Sequence, residues 1–271
     1  MLETDKVFAG SIPENYDRHM VPLIFEPYAA DLAQRAASLS PSAILETAAG
    51  SGIVTRALAP RLSPAARYVV TDLNRPMLDY AASQQARDSR ITWRQADALT
   101  LPFDDATFDV VCCQFGAMFF PDKAQAFREV RRVLAPGGAF VFSVWDRIED
   151  NAFADVVTQA LATRFPHDPP RFLARTPHGY HDCETIERDL AQAGFAGLPS
   201  IETLATRSRA PSPRLPAVAY CAGTPLRNEI EARAPGGVDA ATQWATDALA
   251  ERFGNGPVDG KIQAHVVTIE A

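Results

Sequence analysis

The chain has 271 residues, a formal net charge of -7 and a hydrophobic fraction of 47%. That fraction is enough for a sizeable core, either in one large domain or in a domain with a cap. General nucleic-acid binders normally carry a basic face, so the acidic balance disfavours that class and, more mildly, disfavours binding to an anionic membrane surface.

The cysteines and the N-terminus bear on the cellular compartment. None of Cys112, Cys113, Cys183 and Cys221 belongs to a Cys-x-x-Cys pair, and no histidine lies at metal-ligand spacing from them. Residues 1–6 lack the basic start and apolar core of a signal peptide, and no apolar run approaches the ~18 residues that a membrane-spanning helix needs. We predict reduced thiols, no bound metal, no membrane contact and a cytoplasmic protein.

One stretch, residues 42–74, predicts a strand, a turn of small residues, a helix and a second strand. The apolar run 43–45 predicts a buried strand, and a helical pattern of apolar residues begins at Ile53. The second strand, 68–71, ends in Asp72, where a carboxylate can accept two hydrogen bonds from a ribose diol. This order is typical of the mononucleotide-binding half of a doubly wound sheet.

The turn between these strands indicates which kind of ligand it holds. Gly50 and Gly52 have no side chain, so the backbone can turn sharply and a ligand can lie against it. A dinucleotide fingerprint has a third glycine three residues after Gly52, but Thr55 stands there. Glu46 adds a negative charge, which would not stabilise a bound pyrophosphate but would stabilise a cationic amino group. The turn therefore favours a partly cationic ligand.

Five segments, in this order, resemble motifs of the class I S-adenosylmethionine-dependent methyltransferases, in the UbiE-like and type 11 branch. They are ETAAGSG at 46–52, the acid Asp72, QADA at 95–98, LPFDDATFDVV at 101–111 and LAPGG at 134–138. The resemblance covers roughly residues 40–145. It departs from the pattern at Ala48, where many members carry glycine; the added methyl is small, so we expect the turn to survive.

The resemblance implies an α/β Rossmann-like fold, a doubly wound seven-stranded sheet in the order 3-2-1-4-5-7-6 with strand seven antiparallel. It also implies a methyltransferase domain at 41–271, preceded by an N-terminal helical cover over the cofactor at 1–40. Later segments predict the remaining elements: strands at 91–93, 108–113, 139–145, about 200–206 and 262–269, and helices at 217–233 and 240–252. The long connection at about 210–255 predicts a helical insertion or lid.

The resemblance further implies S-adenosylmethionine as cofactor and S-adenosylhomocysteine as product. Ligands of open parallel sheets bind beyond the carboxyl ends of the strands, where the strand order reverses, so Glu46, Gly50 and Gln114 are expected to converge. The predicted cofactor-binding residues are Tyr16, Glu46, Ala48, Gly50, Gly52, Asp72, Leu73, Met77, Asp97, Ala98, Gln114 and Phe115. Tyr16 equally fits a surface aromatic residue, and Met77 fits a core residue.

The acceptor pocket is predicted around Met118, Phe119 and Trp145, with core packing as the alternative for Trp145. A general base is needed only if the acceptor loses a proton as it attacks the methyl. The candidate bases are His19, near the N-terminal cover, and His178 and His181, after the fifth strand; each equally fits a surface histidine. The predicted partner is a small, partly apolar molecule, whose identity the sequence leaves open, as it does the oligomeric state.

Several functions compete. The favoured one is in-line methyl transfer to an oxygen, nitrogen or carbon atom of a small molecule. A non-catalytic S-adenosylmethionine-binding protein stays open, since this fold needs no universal catalytic residue. An NAD-dependent oxidoreductase is disfavoured by Glu46, by Thr55 and by the runs after residue 100. RNA methylation is disfavoured by the acidity and by residues 114–117, which lack the Asn/Asp-Pro-Pro-Tyr/Phe run of many nucleic-acid enzymes.

Overall fold

Seven strands form one sheet in a computed structural model, which describes residue 14 and residues 16–271. The strands are β1 (Ala43–Glu46), β2 (Arg67–Asp72), β3 (Ile91–Gln95), β4 (Phe108–Gln114), β5 (Leu134–Trp145), β6 (Ser200–Ala210) and β7 (Val258–Glu270). Their order is β3-β2-β1-β4-β5-β7-β6, and β7 is antiparallel to both of its neighbours. This order confirms the predicted fold. The rest of the predicted cover, residues 1–13 and 15, lies outside the described residues.

Helices cover the sheet and fill the long connections. A π-helix spans Tyr16–Phe25, and the α-helices are Glu26–Ser38, Ile53–Leu58, Arg75–Gln84, Lys123–Val133, Ala152–Arg164, Phe172–Arg175, Cys183–Gln192, Arg214–Gly223, Leu226–Arg233 and Val238–Phe253. Short 3-10 turns occupy Ala59–Arg61, Ala117–Phe119 and Ile148–Asp150. Asp122 and Asp182 cap two of the helices, because their carboxylates accept the N–H of Gln125 and of Thr185. No helix in the described part of the chain has the length and apolarity to cross a membrane.

The core lies on both faces of the sheet. In β4, Val111 and Cys113 belong to the larger apolar cluster, whereas Val110 and Cys112 belong to the cluster on the other face. Successive side chains of a strand point to opposite faces, so a strand that is covered on both sides must be apolar throughout. This explains why β4 and β5 read as continuous apolar runs in the sequence.

Three strands extend well beyond their predicted boundaries. β5 begins at Leu134 rather than at residue 139, because Leu134 pairs with Phe108 before the register shifts at a bulge. Gly137 supplies the left-handed backbone of that bulge, with φ at 77°. β6 and β7 are also longer than predicted, since Ala210 and Val258 pair at the end of their shared antiparallel ladder.

The insertion between β6 and β7 consists of three helices. The predicted helix 217–233 is broken into two at Thr224 and Pro225, because a proline has no N–H to continue the helical hydrogen bonds. Helix Arg214–Gly223 packs against the π-helix Tyr16–Phe25, and Val238–Phe253 packs against Ala152–Arg164. The insertion is therefore part of the layer that lies over the end of the sheet.

The π-helix is fastened to the sheet by its backbone carbonyls. Ser208 Oγ on β6 donates to Leu23 O at 2.8 Å, and Gln114 Nε2 on β4 donates to Phe25 O at 3.2 Å. These bonds hold the N-terminal segment over the carboxyl ends of the parallel strands, where the candidate site lies.

Candidate functional site

A cavity with about 1130 Å³ of empty space lies beyond the carboxyl ends of β1, β2 and β4. Eleven of the twelve predicted cofactor-binding residues line it: Tyr16, Glu46, Ala48, Gly50, Asp72, Leu73, Met77, Asp97, Ala98, Gln114 and Phe115. Its charged lining residues are three carboxylates, and no Lys or Arg of residues 16–271 joins them. A cationic ligand is therefore favoured over a pyrophosphate, which would meet only like charge.

Gly52 does not belong to this lining. It has a left-handed backbone with φ at 83° and stands at the N-cap of helix Ile53–Leu58. A Cβ placed at Gly52 would lie 2.9 Å from the Cβ of Ala81 on helix Arg75–Gln84. The glycine is thus required for close packing of two helices, and it lies behind the cavity rather than in it.

Asp72 holds the glycine turn in place. Its Oδ2 accepts the Gly50 N–H at 2.8 Å, and its Oδ1 accepts the Asn74 N–H at 2.7 Å. The side chain is only 6% exposed, and burial raises the pKa of this carboxyl even though the two backbone bonds lower it. Gly50 has φ at 57°, and a Cβ there would meet only Met77 Cε, at 3.7 Å. The turn therefore presents bare backbone and a fixed carboxylate to the cavity.

Ala48 is accommodated by a glycine on the neighbouring strand end. Ala48 has a left-handed backbone with φ at 52°. A Cβ placed at Gly116 would lie 2.5 Å from the Cβ of Ala48 and 2.8 Å from Cys113 Sγ. The methyl at position 48 therefore occupies the space that the absent side chain at position 116 leaves. The turn keeps its shape despite the departure from glycine.

Glu46 is a carboxyl buried at the end of β1, with 1% of its surface exposed. Its Oε2 accepts the Thr55 hydroxyl at 2.7 Å and the Tyr68 hydroxyl. Burial raises its pKa to about 7, against the opposing effect of these hydrogen bonds and of Arg56. A cation in the cavity would favour the ionised carboxylate and would bind to it.

Gln114 offers a second acceptor on the adjacent strand. Its Nε2 donates to Phe25 O, whereas its buried Oε1 has no hydrogen-bond partner within the described residues. A buried acceptor without a partner costs free energy, and a ligand N–H would remove that cost. Glu46 and Gln114 thus fit an ammonium group, and the residues at this end fit the amino-acid part of S-adenosylmethionine.

The other end of the cavity is apolar and fits a flat ring. Leu73 follows Asp72 and remains 45% exposed, whereas Met77, which lines the same cavity, is buried with the core residues. Ala98 lies beyond β3, and Asp97 Oδ1 accepts the Leu99 N–H at 2.9 Å. This end would hold the adenine between small and flexible apolar side chains.

A second cavity, with about 460 Å³ of empty space, adjoins the first. It is lined by all three predicted acceptor residues, Met118, Phe119 and Trp145, so Trp145 is both a core residue and a lining residue. The two cavities share four aromatic side chains, which are Tyr16, Phe25, Phe115 and Phe119. We call these four residues the aromatic wall. No Asp, Glu, Lys or Arg of the described chain lines the second cavity.

The aromatic wall is held by stacking. Phe115 lies parallel to Trp145, with ring centroids 3.9 Å apart and planes 4° apart. Phe25 lies 5.5 Å from Phe115, and Tyr16 stacks on Phe25 at 5.1 Å. Phe115 has φ at 51°, a conformation that costs free energy for a residue with a side chain. The stack holds the ring there, in contact with both cavities.

The three candidate histidines differ in whether they line a cavity. His178 lines the second cavity, and its Nδ1 lies 2.8 Å from the carbonyl oxygen of Asp146. Burial lowers the pKa of His178 to about 4. His19 and His181 do not line either cavity. Of the three, His178 is the one placed to touch an acceptor.

Several lining residues were not predicted from the sequence. In the second cavity, Met20, Ile24 and Phe25 come from the N-terminal segment, where no separate sequence signal marks them. The others come from the chain after residue 150, beyond the recognised motifs: Phe172, Leu173, Pro177, Tyr220, Thr224 and Pro225. In the described residues, no group of three or more His, Cys, Asp or Glu side chains is arranged to hold a metal ion.

Comparisons with known proteins show which family this chain resembles. A family model described as a methyltransferase domain matches residues 45–142. The chain is 42% identical to the demethylmenaquinone methyltransferase of Thermus thermophilus over 167 residues, which are 58% of this chain and 76% of that protein. It is 28% identical to the ubiquinone/menaquinone biosynthesis C-methyltransferase UbiE of Hahella chejuensis over 166 residues, 57% of this chain and 67% of that one.

The fold as a whole also matches a solved structure. The YcgJ protein of Bacillus subtilis superposes with a TM-score of 0.57, and the match covers 90% of this chain and 98% of that chain. The two sequences are 19% identical, so this likeness concerns the fold alone.

Proposed function

The chain belongs to the class I S-adenosylmethionine-dependent methyltransferases, in their UbiE-like branch, and from this membership we propose where its donor and its acceptor bind. The enzyme transfers a methyl group from S-adenosylmethionine to a small-molecule acceptor. We assign the donor to the larger cavity and an uncharged, mostly apolar acceptor to the smaller one. The observation that carries this assignment is the aromatic wall, which both cavities share.

The larger cavity offers a complementary group for each part of the donor. Asp72, already fixed by two backbone N–H groups, has lone pairs left for the ribose hydroxyls. Glu46 and Gln114 Oε1 would bind the ammonium group, and the bare backbone at Gly50 lets the ligand approach. Leu73 would cover the adenine.

The aromatic wall lies where the reacting methyl would pass from donor to acceptor. S-adenosylmethionine supplies a methyl group that its sulfonium has already activated. The four rings of the aromatic wall can stabilise a cation and exclude water. The contacts among Tyr16, Phe25 and Phe115 fix the line along which the acceptor approaches. The work of this protein is therefore to position and desolvate the two reactants.

The smaller cavity selects against charged acceptors. Moving an ion out of water costs several kcal/mol unless an opposite charge pairs with it. Among residues 16–271, no Asp, Glu, Lys or Arg lines this cavity to provide such a charge. The Thermus relative is named for demethylmenaquinone, and an uncharged ring of that kind suits the lining. A nucleic acid, with its chain of phosphates, does not suit it.

The residues of the N-terminal segment and of the insertion complete the proposal. Tyr16 and Phe25 cover the donor, and Tyr220, Thr224 and Pro225 of the insertion close the acceptor cavity. The described cysteines are free thiols, which fits the cytoplasmic location that we propose.

Calorimetric titration tests the placement of the donor. We expect S-adenosylmethionine and S-adenosylhomocysteine to bind, NAD not to bind, and Gly50→Val to abolish binding because its side chain would fill the donor's space. Asp72→Ala should weaken binding by about 1.5–3 kcal/mol through lost charge-assisted hydrogen bonds. Leu198→Ala, at a side chain that is 90% exposed, is the control and should bind normally. Binding of NAD alone, or normal binding by both cavity variants, would overturn the proposal.

A further inference from the structure

His178 places a ring with two nitrogens at a cavity whose other lining side chains are apolar except for the hydroxyls of Tyr16, Tyr220 and Thr224. The histidine is 6% exposed and follows the short helix Phe172–Arg175, whose first two residues line the same cavity. Its ring centroid lies 6.0 Å from that of Trp145, which stacks on the aromatic wall at Phe115. An acceptor in this cavity would therefore lie within reach of both His178 and the donor's methyl.

The hydrogen bond to Asp146 fixes the tautomer of His178. A backbone carbonyl can only accept, so the Nδ1 that lies 2.8 Å from Asp146 O carries the hydrogen. The other nitrogen, Nε2, then keeps its lone pair in the neutral ring. Among the described residues no side chain or backbone group forms a hydrogen bond with Nε2. The lone pair is left for whatever enters the cavity.

The support behind His178 is rigid. Asp146 follows β5, and its N–H donates to Gln263 O on β7 at 3.1 Å. Its carboxylate accepts Gln263 Nε2 at 2.5 Å and the Arg147 N–H at 2.7 Å. Asn151 Nδ2 donates at 3.3 Å to the same Asp146 carbonyl oxygen that accepts the hydrogen bond of His178. The ring is thus held by a carbonyl that the sheet itself fixes.

The ring stays neutral, so it accepts a hydrogen bond rather than a proton. The charged and titratable groups around it are Asp146, Glu149 and His181. Burial lowers the pKa of His178 to about 4; His181 acts in the same direction, and burial outweighs the opposing effect of Asp146 and Glu149. A base this weak removes few protons at neutral pH. A fixed lone pair in an apolar surrounding nevertheless discriminates strongly between molecules with and without a donor.

We infer that His178 determines the specificity of the acceptor cavity: its Nε2 accepts a hydrogen bond from an O–H or N–H group on an otherwise apolar acceptor. This inference rests on the proposed function, because it assigns the acceptor to the smaller cavity. It narrows the acceptor to a neutral molecule that still carries its hydrogen when it binds. His178 orients that group, and the atom that bears it is turned toward the aromatic wall.

Two ring compounds of nearly the same shape test the inference by binding alone. The dissociation constants of p-cresol and p-fluorotoluene are measured on the full chain saturated with S-adenosylhomocysteine, by calorimetry. Only p-cresol has an O–H to donate. In His178→Leu we expect the dissociation constant of p-cresol to rise about tenfold relative to that of p-fluorotoluene. This change corresponds to the loss of one net hydrogen bond. His167→Leu, at an exposed histidine, is the matched control and should leave the ratio unchanged.

The remaining outcomes are distinct. A ratio that is the same in wild type and His178→Leu overturns the inference, and so does a ratio that moves in Tyr220→Phe but not in His178→Leu. Should His178→Leu fail to fold, the nitrogen NMR signal of His178 Nε2 in the wild-type protein decides: it must shift with p-cresol and not with p-fluorotoluene. If S-adenosylhomocysteine binds normally but His178→Leu does not change the relative affinity for p-cresol, only the role of His178 is refuted. If S-adenosylhomocysteine does not bind to the wild-type protein, the proposed function is refuted as well.

Discussion

Cofactor affinity should depend on pH through Glu46. Burial raises the pKa of this carboxyl from near 4.5 to about 7, and its hydrogen-bond donors are two neutral hydroxyls. The ammonium group of the ligand favours the ionised form, so binding and deprotonation are linked. Affinity for S-adenosylhomocysteine should therefore rise as the pH rises through about 7.

The magnitude follows from the fraction of ionised carboxyl. With a pKa of about 7, roughly one-tenth of the Glu46 side chains are ionised one pH unit below that value and roughly nine-tenths one unit above it. If the ionised form alone holds the ammonium group, the dissociation constant falls about ninefold between about pH 6 and about pH 8. This change corresponds to about 1.3 kcal/mol of binding free energy.

Calorimetry with two ligands and one variant isolates the effect. Glu46→Gln keeps the shape and an acceptor for Thr55 and Tyr68 but cannot ionise, so its affinity should not change over this range. Methylthioadenosine lacks the amino-acid part and should bind the wild type equally at both pH values, which also controls for titration of Asp72. A ninefold gain that persists in Glu46→Gln, or that methylthioadenosine shares, would refute the role of Glu46.

The same groups give further predictions. Because the folded-state pKa of Glu46 lies above its unfolded value, folding takes up a proton between about pH 4.5 and 7, and stability falls as the pH rises through that window. At about pH 8, ligand-free Glu46→Gln should therefore have a higher melting temperature than wild type. Its unfolding free energy should be larger by on the order of 2–3 kcal/mol; a lower melting temperature would contradict this. Gly116→Ala should lower the unfolding free energy by about 1–3 kcal/mol in denaturant unfolding, because its Cβ would clash with the Ala48 Cβ and with Cys113 Sγ. Adding Ala48→Gly should restore the part of the loss that comes from the Ala48 methyl, whereas additive effects of the two substitutions would exclude that competition. Glu229→Gln should lower the unfolding free energy by about 1–3 kcal/mol and expose helix Phe172–Arg175 to proteolysis. The buried Glu229 carboxylate accepts the N–H groups of Arg171 and Phe172 and pairs with Arg175. Unchanged cleavage would contradict this prediction.

The parts of the site that follow strand ends were predictable from the sequence. Glu46, Asp72 and Gln114 each end a parallel strand, and the topology of the sheet brings such ends together regardless of the details of packing. Gly50 was predictable because a turn between strand and helix that approaches a ligand needs a residue without a side chain. The strand order followed from the resemblance, whose motifs occur in the family's order and spacing.

The parts that depend on packing between distant elements were not predictable. Gly52 satisfies the same motif as Gly50, but its neighbour is Ala81, on a helix that no motif relates to it. Phe172 and Tyr220 lie far apart in the chain and meet in one cavity because the insertion folds back over the sheet. Of the three candidate histidines, burial against Asp146 distinguishes His178, and that contact has no local sequence signal.

The central claim is that the methyl group passes between the two cavities at the aromatic wall. Nuclear Overhauser contacts from the isotope-labelled methyl of bound S-adenosylmethionine test it most directly. We expect contacts from this methyl to ring protons of Phe25, Phe115 and Phe119, with an upfield shift caused by the rings. Contacts to Leu73 or Met77 instead, which line the larger cavity but not the smaller one, would contradict it.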